Sequence, residues 1–161
     1  MTASVIALGT FDGVHRGHQR IIKKMVARAR RLGLASIVLT FDPHPQQVVA
    51  PERGLKLLTS LKERKKLFAG LGVQRVKVIK FTPALQRLAD DRFVKKYLVA
   101  KWGVREVFVG YDFAFGRGRS GGVGGLKKLG QKYGFRVRVE KPVKVRQEIV
   151  KSSLIRELIS S

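Results

Sequence analysis

The chain has 161 residues, 34 lysines and arginines against 11 acids for a formal charge of +23, 44% hydrophobic residues and no cysteine. That length and composition fit one globular domain spanning 1–161, and they exclude disulfides, thiolate metal sites and a cysteine nucleophile. The charge attracts anions, from nucleotides to nucleic acid, unless it serves only to solubilise the surface along which it is spread.

The first apolar run, Ser4–Leu8, is strand-sized. A loop with Gly9 and Gly13 follows it, and then a helix from Gly17 to Leu32, with Ile21, Ile22, Met25, Val26 and Ala29 at helical spacing and Gly33 as its stop. Ser36–Thr40 is a second Val/Ile-rich strand, and Ser60-Leu61-Lys62-Glu63 is a capping box that opens a helix to about Leu71. Arg75–Ile79 is a third strand. Asp90 or Asp91 is expected to cap a helix running to Trp102. Glu106–Val109 is a fourth strand, Val123–Tyr133 a helix weakened by Gly124 and Gly125, Phe135–Val139 a half-exposed strand, and Ser152 the cap of a short last helix. Short, continuous β-branched runs alternating with helices predict an α/β fold: an open, mostly parallel sheet with helices on both faces.

Three of the scarce acids directly follow strands, in Thr10-Phe11-Asp12, Thr40-Phe41-Asp42 and Tyr111-Asp112-Phe113. Ligands of open α/β sheets bind at the carboxyl ends of the strands, near the point where strand order reverses. Parallel strands would therefore bring these three distant motifs to one edge.

Two of the three histidines, His15 and His18, lie where the first strand gives way to a helix. A helix N-terminus there offers free N–H groups, Gly13 and Gly17 allow close approach, and the histidines add donors. Ser152, Ser153 and Arg156 form a second helix start with two hydroxyls and a forked cation. Together these residues suit a polyphosphate. The competing readings are a metal site, completed by His44 and Asp12 or Asp42, and histidines that merely satisfy a loop.

His15-Arg16-Gly17-His18 resembles the HxGH signature of the nucleotidylyltransferase superfamily, and Ser152–Arg156 resembles its second signature, ISSTxxR. More narrowly, LGTFDGVHRGHQ, LTFDPHPQQVV, LLTSLKERKKLFAGLGV and FVGYDFAFGRGRSG resemble, in order and over nearly the whole chain, the adenylyltransferase module of the prokaryotic riboflavin kinase/FMN adenylyltransferase family. The resemblance implies a Rossmann-like nucleotidylyltransferase fold and the Mg²⁺-dependent reaction of ATP with FMN to give FAD and pyrophosphate. It implies that Gly9, Phe11, Asp12, His15, Gly17, His18, Ser152, Ser153 and Arg156 bind ATP, with His15, His18, Ser153 and Arg156 acting in catalysis. It implies that Phe41, Asp42, Pro43, His44 and Pro45, with Asp112, Phe113, Phe115, Gly116 and Arg117, bind FMN, and that Asp112 is the candidate metal-orienting carboxylate.

The second signature departs from the family pattern: Lys151 replaces serine, Ser153 threonine and Leu154 arginine. One guanidinium is lost, which bears on phosphate affinity or rate. Gly122 stands where an acid is common. The chain ends at Ser161 with nothing resembling the riboflavin kinase module, so riboflavin phosphorylation is not expected and a separate kinase would supply FMN. With no signal-peptide start and no apolar run long enough for a bilayer, a cytoplasmic protein is expected. The alternatives are a sister nucleotidylyltransferase using another phosphate acceptor, which the FDPHP and GYDFAFG blocks disfavour, and a basic nucleic-acid-binding protein. For the latter no recognition motif is present, although non-specific polyanion binding at low salt is expected.

Overall fold

The computed structural model describes residues 3–115, 121–141, 144–145 and 148–149. β1 (Ser4–Leu8) is buried along its whole length, so its alternating side chains feed two cores. Val5 and Ala7 face one layer, with Ile22, Met25 and Val26 of α1 (Arg16–Leu32) and Phe68 of α3 (Leu61–Gly70). Ile6 and Leu8 face the other, with Val94 and Leu98 and with Leu126 of α6 (Val123–Tyr133). Burial on both faces is why this strand reads as an unbroken apolar run.

β2 (Ala35–Asp42), β3 (Arg75–Lys80), β4 (Val104–Gly110) and β7 (Arg136–Glu140) complete a sheet of order β3-β2-β1-β4-β7. Every pairing in it is parallel. The strand order reverses between β1 and β4, and the crevice at their carboxyl ends is where such sheets take ligands. Two short antiparallel pairs, β5 (Ala114–Phe115) with β6 (Gly121–Gly122) and β8 (Lys144–Val145) with β9 (Glu148–Ile149), stand apart from it.

The capping box of α3 forms as expected: Ser60 Oγ accepts from Glu63 N–H at 3.1 Å, and Glu63 Oε1 accepts from Ser60 N–H at 3.2 Å. α2 (Pro45–Val49) and α4 (Pro83–Gln86) are short additions, each opened by a proline.

One expectation is corrected. Neither Asp90 nor Asp91 caps the helix before β4: Ala89 is the cap, without a side-chain bond, and both acids lie in the first turn of α5 (Asp90–Phe93). There they complement the helix dipole, while Asp91 is drawn away by Lys132 and Tyr133 of α6. Val94–Ala100 continue with π-helical winding, and Val94 and Leu98 are buried in the core. The expected helix from Ser152 lies outside the described residues.

On the α1 side, β4 and β7 present acids in place of apolar side chains. Glu106 is bridged by Arg28 and Arg138, and Glu140 by Arg20 and Lys24. Burial raises the Glu106 carboxyl, but the hydrogen bonds from Arg138 and Arg28 overcome it and hold it below the usual range. Among the described residues, no helix is long and apolar enough to cross a membrane.

Candidate functional site

The turn from β1 into α1 is built at the strand-order reversal. Phe11 (φ 52°) and Val14 (φ 39°) both occupy the left-handed region that side chains avoid. Each such residue costs about 1–3 kcal/mol and persists only where its surroundings over-determine it. Phe11 is buried edge-on against Phe68 at 5.9 Å and His18 at 5.3 Å between ring centroids. Val14 is buried too, its N–H donating to Phe11 O at 3.1 Å and its carbonyl accepting from Gln19 Nε2 at 3.0 Å. The Phe11 ring folds back over Gly9, where an added Cβ would lie 3.0 Å from it. Gly13 (φ 84°) has no room for a side chain either, since a Cβ would stand 2.7 Å from Leu58.

Asp12 is 1% exposed. Its carboxylate accepts from Leu58 N–H at 2.9 Å and from Thr59 N–H and Oγ1 at 3.0 and 3.2 Å. Thr59 Oγ1 in turn accepts from Gly13 N–H at 3.0 Å. These bonds strap the turn to the segment that leads into α3. Asp12 therefore acts as a brace beneath the loop.

His15 is the N-cap of α1. Its Nδ1 accepts from Gly17 N–H at 3.1 Å and His18 N–H at 3.3 Å. An accepting Nδ1 carries no proton, so the remaining donor is Nε2–H. Burial agrees, pulling the His15 pKa down from 6.5 against the opposing pull of Asp112. The rings of His15 and His18 stack at 3.6 Å between centroids, 21° from parallel. Both histidines thus stand as a pair at the first turn of α1.

Asp112, two residues beyond β4, acts electrostatically on His15. It is exposed, and its Oδ1 folds back to within 3.1 Å of where a Cβ on Gly110 would stand, with Ile21 of α1 packed 3.6 Å from the same point. Next to it, Tyr111 is 38% exposed. Phe113 is half-buried against the core, its N–H donating to Gly110 O at 3.2 Å.

β2 contributes Asp42 as its last residue. The Asp42–Pro43 peptide is cis, and Pro45 opens α2. Phe41 is a core residue, 5.9 Å from Phe81 and 6.2 Å from Phe93 between centroids. His44 caps α2, its Nδ1 accepting from Gln46 N–H at 3.1 Å and its N–H donating to Gln47 Oε1 at 3.1 Å.

The turn after β1, Asp42 and Asp112 meet at one edge, as the parallel arrangement predicts. Phe115 is described by its backbone alone, in β5. Gly116, Arg117, Ser152, Ser153 and Arg156 lie outside the described residues. The alternative metal set is not assembled: Nδ1 of His15 and of His44 each serve a helix cap, and no three metal-ligating groups converge among the described residues.

Sequence reasoning missed the residues that hold this edge together, Thr10, Thr40, Leu58, Thr59 and Arg64. Arg64 alone had a signal. It lies one turn before Phe68, so an inward-facing Phe68 brings Arg64 inward with it.

Comparison with known proteins agrees with this architecture. A family model described as FAD synthetase matches residues 1–154. A putative bifunctional riboflavin kinase/FMN adenylyltransferase of Geobacillus thermodenitrificans is 37% identical over 160 residues, covering 99% of this chain and 84% of the relative. A bifunctional riboflavin kinase/FMN adenylyltransferase of Listeria monocytogenes is 42% identical over 125 residues, covering 77% of this chain and 40% of the relative. Among solved structures, a Streptococcus pneumoniae protein titled a macrolide-efflux protein superposes with a TM-score of 0.86 at 26% identity, over 98% of this chain and 51% of that one. The chain thus spans about half or less of the Listeria and Streptococcus proteins and most of the Geobacillus one.

Proposed function

The chain belongs to the FAD synthetase family, and on that premise we propose that it transfers the adenylyl group of ATP to the phosphate of FMN, giving FAD and pyrophosphate. The observation that carries this reading is the histidine pair at the first turn of α1, where β1 and β4 diverge and Asp112 stands beside it.

An FMN phosphate oxygen attacks the α-phosphorus of ATP. The bond from that phosphorus to the bridging oxygen breaks, and pyrophosphate leaves with the electron pair. Such a transfer is catalysed by positioning and by stabilising charge as it develops. Neutral His15 donates through Nε2–H, adding no bulk and no cation that must be desolvated. His18, stacked on it, supplies the second imidazole. The N-terminus of α1 adds its partial positive charge on the same side. Gly9, Phe11, Asp12 and Gly17 shape this turn and are proposed to form the ATP-binding loop. Ser152, Ser153 and Arg156 are proposed to hold the departing phosphates.

Asp112 is the described carboxylate suited to Mg²⁺ at this edge, and one exposed carboxylate fits an ion that keeps most of its waters and rides on the substrate phosphates. When bound, Mg²⁺ would neutralise phosphate charge. Asp42 and the 43–45 turn, with Asp112, Phe113, Phe115, Gly116 and Arg117, are proposed to flank FMN. A riboflavin kinase carried on another chain or segment would supply that FMN by phosphorylating riboflavin, with both steps in the cytoplasm.

The test is direct. Purified chain is incubated with FMN, ATP and Mg²⁺, and flavins are separated by chromatography. FAD should form, and His15→Ala and His18→Ala should each lower its rate by about 10²-fold or more. Wild-type protein that makes no FAD would refute the reading.

A further inference from the structure

Arg64 is 1% exposed and among the largest of the deeply buried side chains. Its Nη1 donates to the carbonyl of Thr10 at 2.6 Å and lies 3.4 Å from Thr40 Oγ1. Thr40 Oγ1 also donates to Thr10 O, at 3.1 Å, so both lone pairs of that carbonyl are used. Nε of Arg64 has no hydrogen-bond partner among the described residues. Asp12 and Asp42 both act on the guanidinium, opposing the burial that disfavours its charge.

These contacts span two loops with different tasks. Thr10 directly precedes Phe11, the first left-handed residue of the histidine turn, so its carbonyl sets how the chain enters that turn. Thr40 and Asp42 end β2 and lead into the turn with the cis Asp42–Pro43 peptide. The helix that carries Arg64 is itself tied to the first loop, because Asp12 accepts from Leu58 and Thr59 just before it. The result is a closed cross-brace: turn to segment, segment to helix, helix to turn. A buried cation is a poor device for stability alone, since an apolar side chain of similar size does as well or better. What the guanidinium supplies here is simultaneous grip on two strand ends.

We propose that Arg64 is a positioning residue for the adenylyl transfer, fixing the histidine turn relative to the loop after β2 and with it the approach of acceptor to donor. The proposal rests on the reading given above, in which those loops serve the two substrates. It implies sensitivity in turnover, because a misplacement of about 1 Å in such a reaction costs about 10²-fold.

The test compares Arg64→Met and Arg64→Lys with wild type. Well below the melting temperature, Arg64→Met should lower kcat by about 10²-fold while KM for ATP and FMN moves less than about threefold. Arg64→Lys, which can still donate to Thr10 O, should recover kcat to within about tenfold of wild type. A lowered melting temperature with kcat per folded molecule unchanged would make Arg64 merely structural and overturn the proposal. Should Arg64→Met not fold, Arg64→Lys is paired with Thr40→Val: kcat losses smaller in combination than their product support one brace, and independent losses refute it. Wild-type protein that makes no FAD refutes the reaction, not the brace. In that event amide hydrogen exchange of Arg64→Lys decides. Faster exchange in both 9–15 and 40–45 supports the brace, and faster exchange confined to α3 overturns it.

Discussion

Replacing Asp12 tests whether the histidine turn is held from beneath. Among the described residues, three donors on this carboxylate are Leu58 N–H, Thr59 N–H and Thr59 Oγ1. Asp12→Ala leaves the Leu58 and Thr59 amides without this acceptor, at about 1–3 kcal/mol each, and removes the added strength of bonds to a charged acceptor. The Thr59 hydroxyl can turn elsewhere, so the total is about 3–5 kcal/mol. For a domain of this size that lowers the melting temperature by about 6–20 °C. Asp12→Asn keeps one oxygen but turns an NH₂ toward an amide donor, and should cost about 2 kcal/mol. Urea unfolding with unchanged m-values is the assay, supplemented by Thr59→Ala. The Asp12→Ala/Thr59→Ala double variant should fall short of additivity by about 1 kcal/mol, since the two residues share a network. A loss below about 1 kcal/mol in Asp12→Ala, or turnover abolished with stability intact, would refute the brace and make Asp12 a substrate ligand.

Two further outcomes follow from the same turn. Unfolded His15 titrates near 6.5 and folded His15 lower, so below pH 6.5 the unfolded chain takes up a proton that the native chain resists, and stability is lost as pH falls toward the folded value. His15→Asn, which preserves an N-cap, should reduce the drop in urea midpoint between pH 7.5 and 5.5, and an identical drop in both proteins would show that His15 is not the titrating group. Gly13→Ala forces a Cβ against Leu58 at a positive φ and should cost about 1–3 kcal/mol. Adding Leu58→Ala should relieve the clash only in part, read as the change that Gly13→Ala makes to the urea midpoint in each background.

Buried strands were legible because burial on both faces leaves nothing to write but apolar residues, as in Ser4–Leu8. α1 and α6 were legible from their periodicity, and α3 from Ser60 and Glu63. The winding of Val94–Ala100 was not, because the same apolar residues satisfy a 3.6-residue repeat. The convergence of Asp12, Asp42 and Asp112 on one edge followed from parallel strands, yet their tasks did not. Asp12 braces a segment 46 residues away, Asp42 faces a buried arginine, and Asp112 stands open beside His15. Near-identical local settings carry no information about partners so distant. His15 also concealed its second task, since histidine is not among the residues usually expected at a helix cap.

The acids bridged on the α1 side of β4 and β7 have a consequence at long range. Glu106, Glu140 and Asp91 each hold cations of their own chain, and Asp12 and Glu63 serve the backbone. These five acids are engaged close to home, in a chain where 34 cations face 11 acids. The net charge of +23 sets up a strongly positive field. Such a field draws polyphosphates toward the protein before any pocket selects among them, and it weakens as added salt shortens its range to about 10 Å. Recruitment and recognition are thereby separable: the net positive charge gathers anions, and the proposed site at the histidine edge would sort them.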